Sequence, residues 1–541
     1  MNNLLKRTLI FAAAGFLCLP VFAQDFKQAG VDLIQDLDTN LNGMGVRVAQ
    51  VEAPEDLAGA DWEVGPTYVG QPLSLFTYIS NGVSSTSFPN SLGGESSHAD
   101  NVAGNFYNLT TGVVTNLAHV DNINADYFGQ EYIATNAVTT NYTLLLPSTN
   151  IYDSVVNQSY IYTDANYDQP SAAEQEAIDS AFDNYAMKYS TLFVSGAGDG
   201  APSHACPPAT SYNGIGVGVF EGNPSSVGPT IDNGRCKPDI TAVAPGGATS
   251  FSTPLVAGAA AILVQAGGRD DGGSDTNSAR NMVTVKALLL NGAVKPADWM
   301  NTPPSPLDFR YGAGVLNVFN SYEQLAGGKH GYNFSTNIPM GTAHPPVVTT
   351  ALIPALSGWD FNTNTSGSSK DSVNHYFFNA TNGAGFTLTA TLVWNRHQGV
   401  TNINNLELFL YNTANSNLVA SSTSVVDNVQ HVFVPQLPQG RYDLQVWKAG
   451  GGSIVSASET YALAWGISSE FLNITEAGTN LCLSWPVYPA EFAVAAASSL
   501  ASPVAWSTND IPLPVFTNKQ EVTWLNAAGS AQFFRLQTPD F

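Results

Sequence analysis

The sequence predicts an α/β domain built on a parallel sheet, followed by an all-β sandwich and a small β-rich module. Three observations carry that expectation. Between about residue 24 and residue 325, strand-like and helix-like segments alternate, which implies a parallel sheet covered by helices. After Gly327 the texture changes to short period-two runs separated by turn residues. At 541 residues the chain has room for about three domains.

The first element is a targeting segment. Lys6 and Arg7 precede an apolar run, 8–22, and Val21 to Ala23 suits a cut before Gln24. Residues 1–23 therefore read as a secretory signal peptide, which implies a secreted or periplasmic protein. No later stretch is expected to cross a membrane, because the apolar run 251–266 is too short and reads as a core helix.

Within 24–325 the elements follow in a readable order. GVRVAQVE (45–52) has the alternation of a strand and ends on Glu52. SHADNVAG (97–104) puts His98 at a helix start. VVNQS (155–159) reads as a strand leading into Tyr160, 172–188 as a polar helix, and 191–195 as the strand before Asp199. GGATSFSTPLVAG (246–258) delivers Thr249 and Ser250 from a glycine-rich turn into a buried helix. A serine there is either a plain helix cap or a group set among N–H donors whose dipole favours developing negative charge.

The 246–258 segment closely resembles the serine-bearing motif of the subtilisin-like serine proteases, and 97–104 resembles the segment carrying their histidine. RCKPD (235–239), AVAPG (242–246), VKALLLNGA (285–293) and GAGVLN (312–317) resemble further family segments, in the expected order. The resemblance implies Ser250 as nucleophile and His98 as general base, because a serine hydroxyl needs a base and the base an orienting carboxylate. The other seven of the eight histidines are expected to be ordinary surface or core residues. The 155–159 strand resembles the one whose downstream edge pairs with substrate, which implies that Ser159 and Tyr160 border the substrate-binding pocket.

Two positions depart from the family pattern. The family ends its first strand on aspartate, whereas this chain has Glu52, one methylene longer but still able to orient His98. Asp56, in the loop beyond, is the fallback. The family's oxyanion hole has an asparagine donor where this chain has Asp199, which donates only when protonated. A protonated Asp199 beside a neutral His98 predicts an optimum on the acidic side of neutral. The stretch between residue 24 and the first strand is also too short for the propeptide common among relatives.

Composition narrows the rest. A net charge of −24 with only 11% charged residues and no basic patch argues against nucleic acid. Cys206 and Cys236 either pair in an oxidising compartment or stay free, and Cys482 is expected to be a lone buried thiol. No Cys/His cluster has zinc spacing, and no cofactor is expected to be required. A structural calcium ion is in keeping with the family, and DLDTNLNG (36–43) alternates oxygen ligands; lacking a closing Glu, it reads better as a polar turn.

Downstream, FTLTATLVW (386–394), 406–411 and 442–447 predict a β-sandwich over 326–467. It resembles the jelly-roll domain that follows the catalytic domain in some subtilisin-like proteases. Short strands at 481–485, 522–525 and 533–536 predict the small module over 468–541. The reading is a monomeric, exported serine endopeptidase acting on proteins or peptides through an acyl-enzyme at Ser250. The alternative is a weak or inactive scaffold of this fold whose β-domains bind a surface or polysaccharide. An acid-acting carboxyl peptidase of the same fold is disfavoured by His98, where those enzymes carry glutamate.

Overall fold

The computed structural model describes residues 8–9 and 26–537, apart from 56–59, 134–148, 165, 222–223, 245–246, 382–384, 452–454, 470, 479, 488–491, 510, 518 and 527–531. Asp56, Gly246 and most of the signal segment thus lie outside the described residues.

The first layer is an eight-stranded sheet of β1 (Arg47–Glu52), β2 (Phe76–Ser80), β3 (Val83–Ser85), β4 (His119–Asn124), β5 (Val155–Gln158), β6 (Leu192–Gly196), β7 (Ile215–Phe220) and β8 (Ile240–Val243). Their order is β8-β7-β6-β5-β1-β4-β2-β3, and only the β2–β3 pairing is antiparallel. Strands β5 to β8 are buried at every position, as a parallel sheet covered on both faces requires.

Five helices matter for the site and its support: α1 (Ser97–Phe106), α2 (Ala172–Tyr189), α3 (Thr249–Gly268), α4 (Met282–Gly292) and α5 (Val318–Ala326). Helix α2 opens on a capping box between Ser171 and Glu174. Helix α3 is apolar nearly all round because it runs through the core, packed on β5 to β8 and on α1. A Cβ at Gly258 would come within 2.6 Å of Val113 Cβ, so the close approach there requires glycine. Among the described residues α3 is the one helix long and apolar enough to cross a membrane, and it is mostly buried.

The next layers form a sandwich. One sheet pairs β9 (Phe334–Pro339), β11 (Lys370–Ala380), β16 (Gly440–Lys448), β13 (Leu406–Asn412) and β14 (Leu418–Ser422) in that order. The other pairs β10 (Ser357–Thr365), β17 (Ser458–Ser469), β12 (Phe386–Trp394) and β15 (Val429–Leu437). Tyr376, Phe378, Leu388, Leu408, Leu444 and Trp465 fill the space between them. A further four-stranded sheet and a strand pair lie between Asn473 and Gln537 around Trp485 and Phe492.

The sandwich is fastened to the first layer. Helix α4 packs on β12 and β17, and Asn291 Oδ1 accepts from the hydroxyls of Thr389 (3.0 Å) and Thr391 (2.9 Å). Arg396, on the loop after β12, ion-pairs with Asp183 (2.7 Å) and Glu176 (2.8 Å) of α2. Tyr212 lies between two guanidinium groups, with Arg235 3.9 Å and Arg396 4.4 Å from its ring centre.

Cys206 and Cys236 are both free, buried thiols, and burial pushes Cys206 up to about 12. Cys482 is free but only half-buried, since it pairs across the strands with the exposed Trp524. Asp38 accepts from the Asn40 amide and pairs with Arg269 at 2.8 Å, so its oxygens are directed to donors. Among the described residues no group of three His, Cys, Asp or Glu is arranged to hold a metal ion.

Candidate active site

The sequence places its candidate residues at the carboxyl ends of parallel strands, where open α/β sheets carry their sites. Glu52 ends the central strand β1, Ser159 and Tyr160 follow β5, and Asp199 lies three residues beyond β6. His98 is the second residue of α1 and Ser250 the second of α3, and the two helices pack together. The His98 and Phe251 rings are 6.1 Å apart across that contact.

Glu52 and His98 form a buried pair, with Glu52 Oε2 3.1 Å from His98 Nδ1. Burial pulls the His98 imidazole down, but the Glu52 hydrogen bond and charge, reinforced by Glu55 and Asp199, raise it above its ordinary value. Helix α1 is held at its start by two caps. Ser96 accepts from the Ala99 amide (3.1 Å), and the Glu55 carboxylate accepts from the Ser97 (3.1 Å) and His98 (3.1 Å) amides. These bonds hold Glu55 below the usual carboxylate range despite its partial burial. Glu55 escaped the sequence reading because its role depends on a loop folding back to α1, which leaves no periodic signal.

The structure does not join Ser250 to His98 by a hydrogen bond. Ser250 Oγ faces the Ser159 carbonyl at 3.5 Å, the limit of a hydrogen bond, and His98 Nε2 is buried without a hydrogen-bond partner. Ser159 Oγ in turn donates to the Ser250 carbonyl (2.9 Å), which ties the β5 edge to the start of α3. Tyr160 is buried, and its hydroxyl accepts from Gln158 (2.6 Å). Ser159, Tyr160, Ile161, Gly196, Gly198, Asp199, Thr249 and Ser250 line one small cleft.

Asp199 commits one carboxyl oxygen to the start of α3. Its Oδ1 accepts from both the amide (2.7 Å) and the hydroxyl (2.9 Å) of Thr249. A backbone amide can only donate, so this oxygen acts as an acceptor and caps α3, whose own N-cap residue Ala248 has no side-chain oxygen. Gly198 makes the preceding turn at φ +105°, where a Cβ would also meet Ser226 Oγ at 2.8 Å. The Thr249 bonds occupy Oδ1 alone and leave Oδ2 as the one Asp199 oxygen with which a protonated carboxyl could donate.

Behind Glu52 stands a polar chain that the sequence reading passed over. Gln50 Nε2 donates to Glu52 Oε1 (2.8 Å), and Tyr107 Oη donates to Gln50 Oε1 (2.6 Å). The available signal was a polar residue two positions before Glu52, hence on the same strand face, within an otherwise apolar run.

Downstream of Tyr160, the short strand Ile161–Tyr162 pairs antiparallel with Thr8–Leu9 of the same chain. That edge accepts an extended segment.

Residues 76–314 match the Subtilase family, a span that contains His98, Ser159, Asp199 and Ser250 but not Glu52. No curated protein matches the chain in sequence. Among solved structures, the chain is similar to the prenylagaramide maturation protease PagA (18% identity, 55% of this chain and 98% of that one, TM-score 0.35). It is also similar to the epidermin leader peptide processing serine protease EpiP from Staphylococcus aureus (14%, 58% and 83%, TM-score 0.36). A third is tripeptidyl peptidase 2 (12%, 82% and 51%, TM-score 0.31).

Proposed function

From the Subtilase family match over residues 76–314 we propose that this chain is an exported serine endopeptidase that hydrolyses protein or peptide substrates. The observation that carries the reading is the buried Glu52–His98 pair beside the Ser250 helix start. Glu52 accepts the Nδ1 proton of His98, which leaves the Nε2 lone pair for the serine hydroxyl and stabilises the imidazolium once it forms. Catalysis then requires that Ser250 Oγ, which faces the Ser159 carbonyl, turn about its Cα–Cβ bond toward that nitrogen.

Ser250 Oγ attacks the peptide carbonyl as His98 takes its proton, giving a tetrahedral oxyanion. The C–N bond then breaks, His98 passes that proton to the leaving amine, and water hydrolyses the acyl-enzyme to free acid and serine. Ser250 sits in the first turn of α3, whose amides lack intrahelical acceptors and whose dipole favours the developing charge. Asp199 takes the remaining oxyanion position with Oδ1 committed to Thr249, so it adds a donor only through a protonated Oδ2; slow turnover is expected without that proton. An extended substrate adds to the Ile161–Tyr162 edge, as Thr8–Leu9 does. Residues 1–23 act as the export signal, the 24–325 segment carries catalysis, and the protein works as a monomer without a required cofactor.

One observation favours the rival reading of an inert scaffold: Ser250 Oγ and His98 Nε2 are not hydrogen-bonded. Casein hydrolysis across pH separates the two. The peptidase reading expects cleavage that disappears in Ser250→Ala, and equal rates for parent and variant would overturn it.

A further inference from the structure

Glu52 is almost wholly buried and carries two carboxylate oxygens, of which one faces His98. The other needs a donor, because a carboxylate oxygen taken out of water without one is unfavourable. Gln50 supplies it. Its Nε2 donates to Glu52 Oε1 (2.8 Å) and to the carbonyl of Ala99 (2.9 Å), the residue after His98. Its Oε1 accepts from Tyr107 Oη (2.6 Å), at the far end of the helix that bears His98. Both partners of Nε2 are pure acceptors and the partner of Oε1 is a hydroxyl, so only one amide orientation satisfies the set.

We propose that Gln50, backed by Tyr107, is a positioning residue for the catalytic carboxylate; the proposal rests on the serine-peptidase reading above. A glutamate side chain has three rotatable bonds, and pinning Oε1 is what holds Oε2 on His98 Nδ1. The same amide grips the turn of α1 that carries His98, so strand and helix are set relative to each other by one side chain. Gln50 thereby selects the His98 tautomer without touching substrate.

Three variants test this: Gln50→Leu, Gln50→Glu and Tyr107→Phe. Each is assayed for kcat and KM on a peptide ester across pH, alongside the low-field proton resonance of His98 Nδ1–H. Gln50→Leu is expected to lower kcat about tenfold or more at unchanged KM and to lose the low-field resonance. Tyr107→Phe, which removes one oxygen and leaves the fold intact, should lower kcat by a smaller factor in the same way. A carboxyl at position 50 can donate to Glu52 only while protonated, so Gln50→Glu should fall in activity as pH rises across a range where the parent is flat. A Gln50→Leu enzyme with the parent's kcat, pH profile and resonance overturns the proposal, and if that variant does not fold, an unchanged Tyr107→Phe does so. A parent whose hydrolysis survives Ser250→Ala overturns the peptidase reading itself, while the resonance still reports on Gln50.

Discussion

Asp199 Oδ1 accepts hydrogen bonds from both the amide and the hydroxyl of Thr249, at 2.7 and 2.9 Å, one residue before Ser250. An asparagine at 199 keeps that acceptor while its amide nitrogen turns a charged position into a donor. It also removes one of the negative charges that raise His98. His98 works as a base only when neutral, so lowering its pKa moves the acid limb of the profile to lower pH. Asp199→Asn is therefore expected to show that downward shift and a kcat raised by about tenfold or more, read from a pH–rate series.

Glu52 spans between Gln50 on one side and His98 on the other. Glu52→Gln places a neutral amide against Nδ1 and should reduce kcat by a factor on the order of 10³–10⁴ with folding intact. Glu52→Asp, one methylene short, cannot reach both partners and is expected to be slower than the parent, although it restores the residue usual in the family. Steady-state kinetics on both variants checks this.

The parallel sheet, the sandwich and the two helix starts at His98 and Ser250 were legible because each leaves a local mark. Period-two runs give strands, and Gly-Gly-Ala-Thr-Ser entering a run of small residues gives α3. The direction of the Asp199 bonds was not legible, since a carboxylate's role depends on the neighbour it meets. Gln50 was likewise hidden: its partners at Ala99 and Tyr107 lie 49 and 57 positions away. Arg396 was out of reach for the same reason, as its partners Glu176 and Asp183 belong to a distant helix.

Arg396 locks the sandwich to α2, with both its own side chain and that of Asp183 about 1% exposed. Arg396→Ala leaves Asp183 as a buried charge stripped of that partner and is expected to destabilise the protein by about 3–5 kcal/mol. Chemical denaturation should show a lower midpoint, with the probes of both layers moving together. A midpoint equal to the parent's contradicts a fastened interface.

Glu63 is fully buried, its Oε2 accepting from Asn90 (2.9 Å), and burial pushes it up to about 7 despite that bond. Its folded pKa lies above the ordinary 4.5, so its contribution to stability is complete below that pH and lost as pH rises through about 7. Glu63→Gln removes the titration. The unfolding free energy from chemical denaturation should then rise relative to the parent at pH ~8, by about 3 kcal/mol, and not at pH ~4.5.

Labelling with an active-site fluorophosphonate tests the activated serine most directly. At a pH above the raised His98 pKa, covalent labelling of the full-length protein at Ser250 is expected, abolished in Ser250→Ala and in His98→Ala. A parent that remains unlabelled across the whole pH range, or labels equally after Ser250→Ala, contradicts the account.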